Sequence, residues 1–166
     1  MKMCGFVHST FVTLPVNVTA FAASYCAGAL PSGPRTGLRR PPRDTQALVC
    51  HGSLRARLDP QLVLGVIEVE SAFRKYAVSS AGARGYMQVM PFWVKLIGNP
   101  DSNLFHLRTN LRFGCTILRH YLDIENGDLY RALGRYNGSL GQPEYPNLVR
   151  AAWENRWAWR PRCRRS

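Results

Sequence analysis

The chain has 166 residues, 46% of them apolar, and a formal charge of +12. It is one domain of ordinary size with enough apolar residues for a core, which excludes a disordered chain and an array of several large domains. The charge suits a polyanionic partner such as nucleic acid, anionic lipid or an acidic wall polymer. However, it gathers in residues 33–44 (GPRTGLRRPPRD) and 156–166 (RWAWRPRCRRS), not along a recognition helix, and no nucleic-acid motif accompanies it.

Residues 1–30 read as a candidate signal or targeting segment. Lys2 gives a positive start, the following stretch is moderately apolar, and Ala20–Ala22 (AFA) has the A-x-A form of a cleavage site. His8, Pro15 and Asn17 interrupt the apolar run, so an organelle transit segment and a misassigned start stay open beside the signal reading. Residues 31–57 are a Pro/Gly/Arg-rich linker, with a short helix expected over 45–57. No apolar run is long and clean enough for a membrane span. Five cysteines, Cys4, Cys26, Cys50, Cys115 and Cys163, form no CxxC pair. Their odd count and scatter argue against a zinc site and a disulfide framework, and Cys115 reads as a small core residue.

Residues 58–160 read as a mainly α domain, followed by a basic tail at 161–166. Asp59 and Pro60 are an N-cap and a first-position proline, opening a helix over Gln61–Phe73. Leu62, Val63, Val66, Ile67, Val69 and Phe73 share one arc, and Glu70 falls inside it, between Val63 and Val66. Glu68 falls outside and is expected to be solvated. A carboxylate in an apolar setting has a raised pKa and can serve as a general acid near neutral pH. The plainer alternative is that Glu70 caps a loop or pairs with Arg74 or Arg84. A small-residue loop, KYAVSSAGARG, follows. A short helix is expected around Pro91–Ile97, and a longer one in NLRFGCTILRHYLDIENG, where Leu111, Cys115, Leu118 and Leu122 recur at helical spacing. Asp128 caps the next helix, Leu129, Ala132, Leu133 and Tyr136 repeat the pattern, and Gly138 stops it. PNLVRAAWENRWAW is a last, aromatic-rich helix. No alternating strand pattern or internal repeat is present.

Four motifs then stand in order: Glu70–Ser71, AVSSAGARGYMQVMP (Ala77 to Pro91), NLRFGCTILRHYL (Asn110 to Leu122) and ALGRYNGS (Ala132 to Ser139). Each alone is weak, but their order and spacing over Asp59 to Val149 resemble the catalytic domain of the bacterial soluble-type lytic transglycosylases, which have a lysozyme-like fold. The resemblance implies cleavage of the MurNAc–GlcNAc bond of peptidoglycan with 1,6-anhydromuramic acid products. Glu70 would serve first as acid and then as base, in contrast to the two-carboxylate scheme of most glycoside hydrolases. It implies substrate contacts by Ser79, Gln88, Met90, Tyr121, Tyr136 and Asn137, with Tyr136 orienting or hydrogen-bonding the catalytic carboxylate. Packing is the plainer role for Tyr136 and for the methionines. No metal or cofactor is implied. Peptidoglycan strands are the expected partner, an envelope or secretion-machinery partner is compatible, specific nucleic acid is not expected, and the chain is expected to be a monomer in the bacterial envelope, periplasmic or exported.

Three departures touch substrate preference more than chemistry. Tyr86 stands where the family has leucine, Arg135 replaces an alanine, and Gly138–Ser139 replaces A-G. A goose-type lysozyme relative that uses water, a non-catalytic wall-binding module and a basic nucleic-acid-binding protein are the competing readings.

Overall fold

A computed structural model describes residues 43–157. The readings of residues 1–42 and of the 161–166 tail lie outside that range. Among the described residues there are six α-helices and a terminal π-turn: α1 (Arg43–Arg55), α2 (Pro60–Ser71), α3 (Phe92–Ile97), α4 (Leu107–Ile124), α5 (Leu129–Asn137), α6 (Glu144–Ala152) and the π-turn Trp153–Trp157. Among the described residues the extended pairing consists of the isolated bridges Val78–Arg84 and Arg84–Val89. No described helix is long and apolar enough to cross a membrane.

Helix α2 is the axis of the domain. Asp59 accepts a hydrogen bond from the Gln61 amide at 2.7 Å, and Pro60 occupies the first turn, where a missing N–H costs nothing. Every residue from Pro60 to Glu68 is buried, because α1, α6 and the π-turn pack around α2 on several sides. At Gly65 an added Cβ would lie 3.2 Å from the Trp153 amide nitrogen, so the missing side chain sets how closely the C-terminal turn approaches. Helix α4 carries its apolar stripe, including Leu111, Cys115, Leu118 and Leu122, into the same core and packs against α1, α3 and α5. Asp128 caps α5 by accepting from the Arg131 amide at 3.1 Å, and Gly138, at φ +80°, closes it in the left-handed conformation.

Two expectations change here. The short helix expected over 45–57 is present as Arg43–Arg55, but it packs into the core and so takes those residues out of the 31–57 linker. From Arg43 the chain is helical, and Thr45, Val49, Cys50 and Ser53 are buried. Among its apolar positions Val49 and Cys50 are buried, Leu48 and Leu54 partly so, and Ala47 is exposed. Cys50 is disulfide-bonded, whereas Cys115 is a free buried thiol. Sequence spacing does not report which cysteines a fold brings within bonding distance.

Candidate active site

Glu70 stands in the last turn of α2, half-buried. Withdrawal from water pushes its carboxyl up to about 7, opposed in part by a hydrogen bond donated by Tyr145. The Tyr145 hydroxyl lies 2.5 Å from Glu70 Oε1. Neither Arg74 nor Arg84 is ion-paired with Glu70, so the capping or pairing alternative does not describe it. A buried carboxyl with a phenol beside it and no cation keeps its proton near neutral pH.

Glu68 has the opposite environment. It is 9% exposed, not solvated. Trp157 Nε1 donates to its Oε2 at 2.6 Å, and Arg156 Nε lies 2.5 Å from its Oε1. The helical projection placed Glu68 correctly away from Glu70's arc. It erred in equating that side with solvent, because the π-turn covers it.

The loop from Ala77 to Met90 is built on Asn110. This side chain, fully buried, accepts from the Met87 amide at 2.8 Å and donates to the carbonyls of Arg84 at 2.8 Å and Leu104 at 2.9 Å. Gly85, at φ +75°, passes so close that a Cβ would meet Asn110 Nδ2 at 2.5 Å. One turn along α4, Gly114 makes room for Met87, whose Sδ would lie 2.5 Å from an added Cβ. Asn110 and Gly114 therefore seat the loop against α4, a role the NLRFG motif did not disclose. Ser71 ties the loop to α2: its hydroxyl lies 3.1 Å from the Ile67 carbonyl and 2.8 Å from the Tyr86 carbonyl.

The six expected contact residues divide into three groups. Ser79 and Gln88 hold the loop. Ser79 Oγ accepts from the Ala83 amide at 3.0 Å, and Gln88 Nε2 donates to the carbonyls of Gly85 at 2.8 Å and Ala77 at 3.2 Å. Gln88 does so from φ +47°, a left-handed conformation that favours glycine. These bonds leave the Ser79 O–H as a donor and Gln88 Oε1 as an acceptor. Tyr136 and Tyr121 form the second group. Tyr136 donates to the Met87 carbonyl at 2.7 Å, not to Glu70. Its phenol is held well above its ordinary pKa by burial, with the Glu70 charge, Cys115 and Tyr121 adding to that effect. The bond expected from Tyr136 to the carboxylate is made by Tyr145, because Tyr136's hydroxyl is taken by the loop. Tyr121 packs edge-on to Trp93, ring centroids 6.1 Å apart. Met90 and Asn137 form the third group; Met90 is half-buried, Asn137 is exposed at the end of α5, and neither side chain makes a hydrogen bond within the described residues.

Arg135, one of the departures, is turned to Glu125, which also pairs with Arg131. These two arginines hold the Glu125 carboxyl below its usual range. Asp123 pairs with Arg119 at 2.6 Å, and Asp59 and Asp128 are N-caps. Glu68 and Asp59, the other acids withdrawn from water beside the core, thus each have a structural partner, whereas Glu70 has a phenol. Among the described residues no cluster of three or more His, Cys, Asp or Glu side chains could hold a metal ion.

Comparison with known proteins gives the same direction. Residues 48–147 match the family model described as "Transglycosylase SLT domain". The chain is 37% identical over 93 residues to a transglycosylase of Enterobacteria phage PRD1, covering 56% of this chain and 34% of that protein. It is 36% identical over 100 residues to the membrane-bound lytic murein transglycosylase C of Haemophilus ducreyi, covering 51% of this chain and 27% of that protein. The chain thus spans about a third or less of the length of these relatives. The structure resembles an inactive glutamate-to-glutamine mutant of the lytic transglycosylase Slt from Pseudomonas aeruginosa, with a TM-score of 0.51 and 26% identity over 63% of this chain and 17% of that one. It shares the fold of the 70 kDa soluble lytic transglycosylase of Escherichia coli, with a TM-score of 0.50, 22% identity and the same coverage of both chains.

Proposed function

The chain belongs to the transglycosylase SLT domain family, and from that premise we propose that it is a peptidoglycan lytic transglycosylase acting through Glu70. The observation that carries this is the state of Glu70: a half-buried carboxyl raised to about 7, with Tyr145 on one oxygen and no cationic partner. The P. aeruginosa neighbour is described as inactive with one glutamate exchanged for glutamine, which supports an essential glutamate here.

In the proposed reaction the Glu70 proton passes to the glycosidic oxygen as the bond to the muramic anomeric carbon breaks. Glu70, now a carboxylate, takes the proton of the muramic C6 hydroxyl as that oxygen attacks the anomeric carbon. The acid is regenerated and the product is a 1,6-anhydro sugar. One carboxyl used twice suffices, which fits a site where the other buried acids are already engaged. Tyr145 holds Oε1 in place and stabilises the carboxylate between the two steps. Ser79 O–H, Gln88 Oε1, Met90, Tyr121 and Asn137 would line the glycan groove, with Tyr136 holding the loop at Met87. The name of the membrane-bound murein-cleaving relative supports an envelope location with peptidoglycan as the partner, and a periplasmic or exported position is part of the proposal.

Mass spectrometry of soluble products from purified peptidoglycan, run beside Glu70→Gln, tests the reading. Anhydro-muropeptides that vanish in the variant are expected. Products heavier by one water would make the chain a lysozyme-type hydrolase. No product from folded wild-type protein would leave a wall-binding module.

A further inference from the structure

On the side of α4 turned away from the Asn110–Gly114 loop seat, α1 and α4 leave a groove of about 510 Å³ between them. Its floor is apolar, from Leu48, Ala56 and Leu111, and its walls are basic: His51 and Arg55 on α1, Arg108 and Arg112 on α4. All four basic side chains are exposed, and none of the arginines is ion-paired with a described residue, unlike Arg119, Arg131, Arg135 and Arg156. Asp44 stands a turn before Leu48 on α1, and no acid lines the groove itself.

Residues 1–42 and 158–166 supply no counter-charge to it. All ten acidic residues lie between Asp44 and Glu154, so residues 1–42 and 158–166 contain none. Each wall is an i, i+4 pair, a rise of about 6 Å along its helix. Alternate side chains of an extended strand repeat at about 7 Å, close enough for successive acids to meet successive wall positions. Arginine forks suit carboxylates bidentately, and an apolar floor suits the small side chains between them. Among the residues lining the groove none is Phe, Tyr or Trp, so the bases of a nucleic acid would find no large stacking platform there. The concave floor is closed to a flat bilayer surface.

We propose that this groove docks an extended acidic segment of a partner protein, in which Glu or Asp alternates with small apolar residues. The docking site shares no lining residue with the Glu70 site and does not depend on the reaction there.

The test uses the full chain and a fluorescein-labelled peptide alternating Glu with Val and Ala. Fluorescence anisotropy measures binding, and amide shifts in ¹H–¹⁵N spectra locate it. A Lys-for-Glu peptide, an oligothymidylate and phosphatidylglycerol vesicles are run alongside. Binding of the acidic peptide is expected, with shifts at His51, Arg55, Arg108 and Arg112. The double variant Arg108→Glu/Arg112→Glu should weaken it at least about tenfold, while Arg150→Glu, an exposed arginine on α6, leaves it intact. Unchanged thermal unfolding of both variants separates lost binding from lost fold. The proposal is overturned by no binding, by equal weakening in Arg150→Glu, or by tighter binding of the oligonucleotide or vesicles through the same four residues. Self-association of the chain that Arg108→Glu/Arg112→Glu abolishes would overturn it too, by assigning the groove to a second copy.

Discussion

Glu68 and Glu70 are two residues apart on one helix, both withdrawn from bulk water, and they are put to opposite uses. Glu68 is neutralised: a guanidinium and an indole N–H from the C-terminal turn complete its contacts, and the carboxylate becomes a fastening between α2 and the end of the chain. Glu70 is left with a phenol and a raised pKa. Burial alone therefore does not make a reactive carboxyl. What differs is whether the fold supplies a cation. On one side of α2 the π-turn brings Arg156; on the other the loop from Ala77 to Met90 is tied to α2 through Ser71 and to α4 through Asn110, and its one cation, Arg84, is not ion-paired with Glu70.

The largest expected effect comes from opening Glu70's side. Asn110→Ala strips three hydrogen bonds from a fully buried position and should cost about 3 kcal/mol of stability. Chemical denaturation measures that loss. In the same variant the Glu70 carboxyl, now wetter, should titrate closer to 4.5, and a titration unmoved from about 7 would show that the loop does not keep water off it.

Breaking the other side comes next. Arg156→Ala leaves a buried carboxylate without its cation and should cost about 2 kcal/mol, since Arg156 itself is partly exposed. Adding Glu68→Gln should restore part of this. If Arg156→Ala and the double variant unfold at the same denaturant concentration, the pair is not a fastening.

Glu70 itself should lower stability at alkaline pH. A carboxyl whose folded pKa is raised favours folding relative to its ionised form below about 4.5 and loses that contribution as pH rises through about 7. Glu70→Gln should therefore be on the order of 2 kcal/mol more stable than wild type at pH 8, with the gap closing at pH 4. Thermal unfolding across pH reads this directly.

The smallest effect is a shift. Tyr145 lowers the Glu70 pKa by its hydrogen bond, so Tyr145→Phe should move the alkaline limb of the activity profile upward by about one pH unit. A limb that stays in place would assign the carboxyl's state to desolvation alone.

Much of this was legible along the chain because it is local. The caps Asp59 and Asp128, the stop at Gly138 and the helical spacing through Leu133 each declare themselves within a few residues, and α5 begins and ends where they predict. Glu70 was legible because an acid among Val63, Val66 and Ile67 conflicts with its own helix face. The remainder depends on contacts between distant residues. Tyr145 meets Glu70 across 75 positions, and nothing in EYPNLV distinguishes a phenol that packs from one that touches a carboxylate. Asn110 reaches back 23 residues to Met87. Glu68 was misplaced because a projection shows the direction a side chain takes and not what another segment later lays over it.

The measurement that tests the central claim most directly is a carboxyl ¹³C NMR titration of Glu70, assigned by the signal lost in Glu70→Gln. A midpoint near 7 is expected, so that the group still holds a proton to donate at neutral pH. A midpoint near 4.5 would contradict it: Glu70 would then be an ordinary ionised carboxylate, and the difference between the two glutamates would not be the source of the acid.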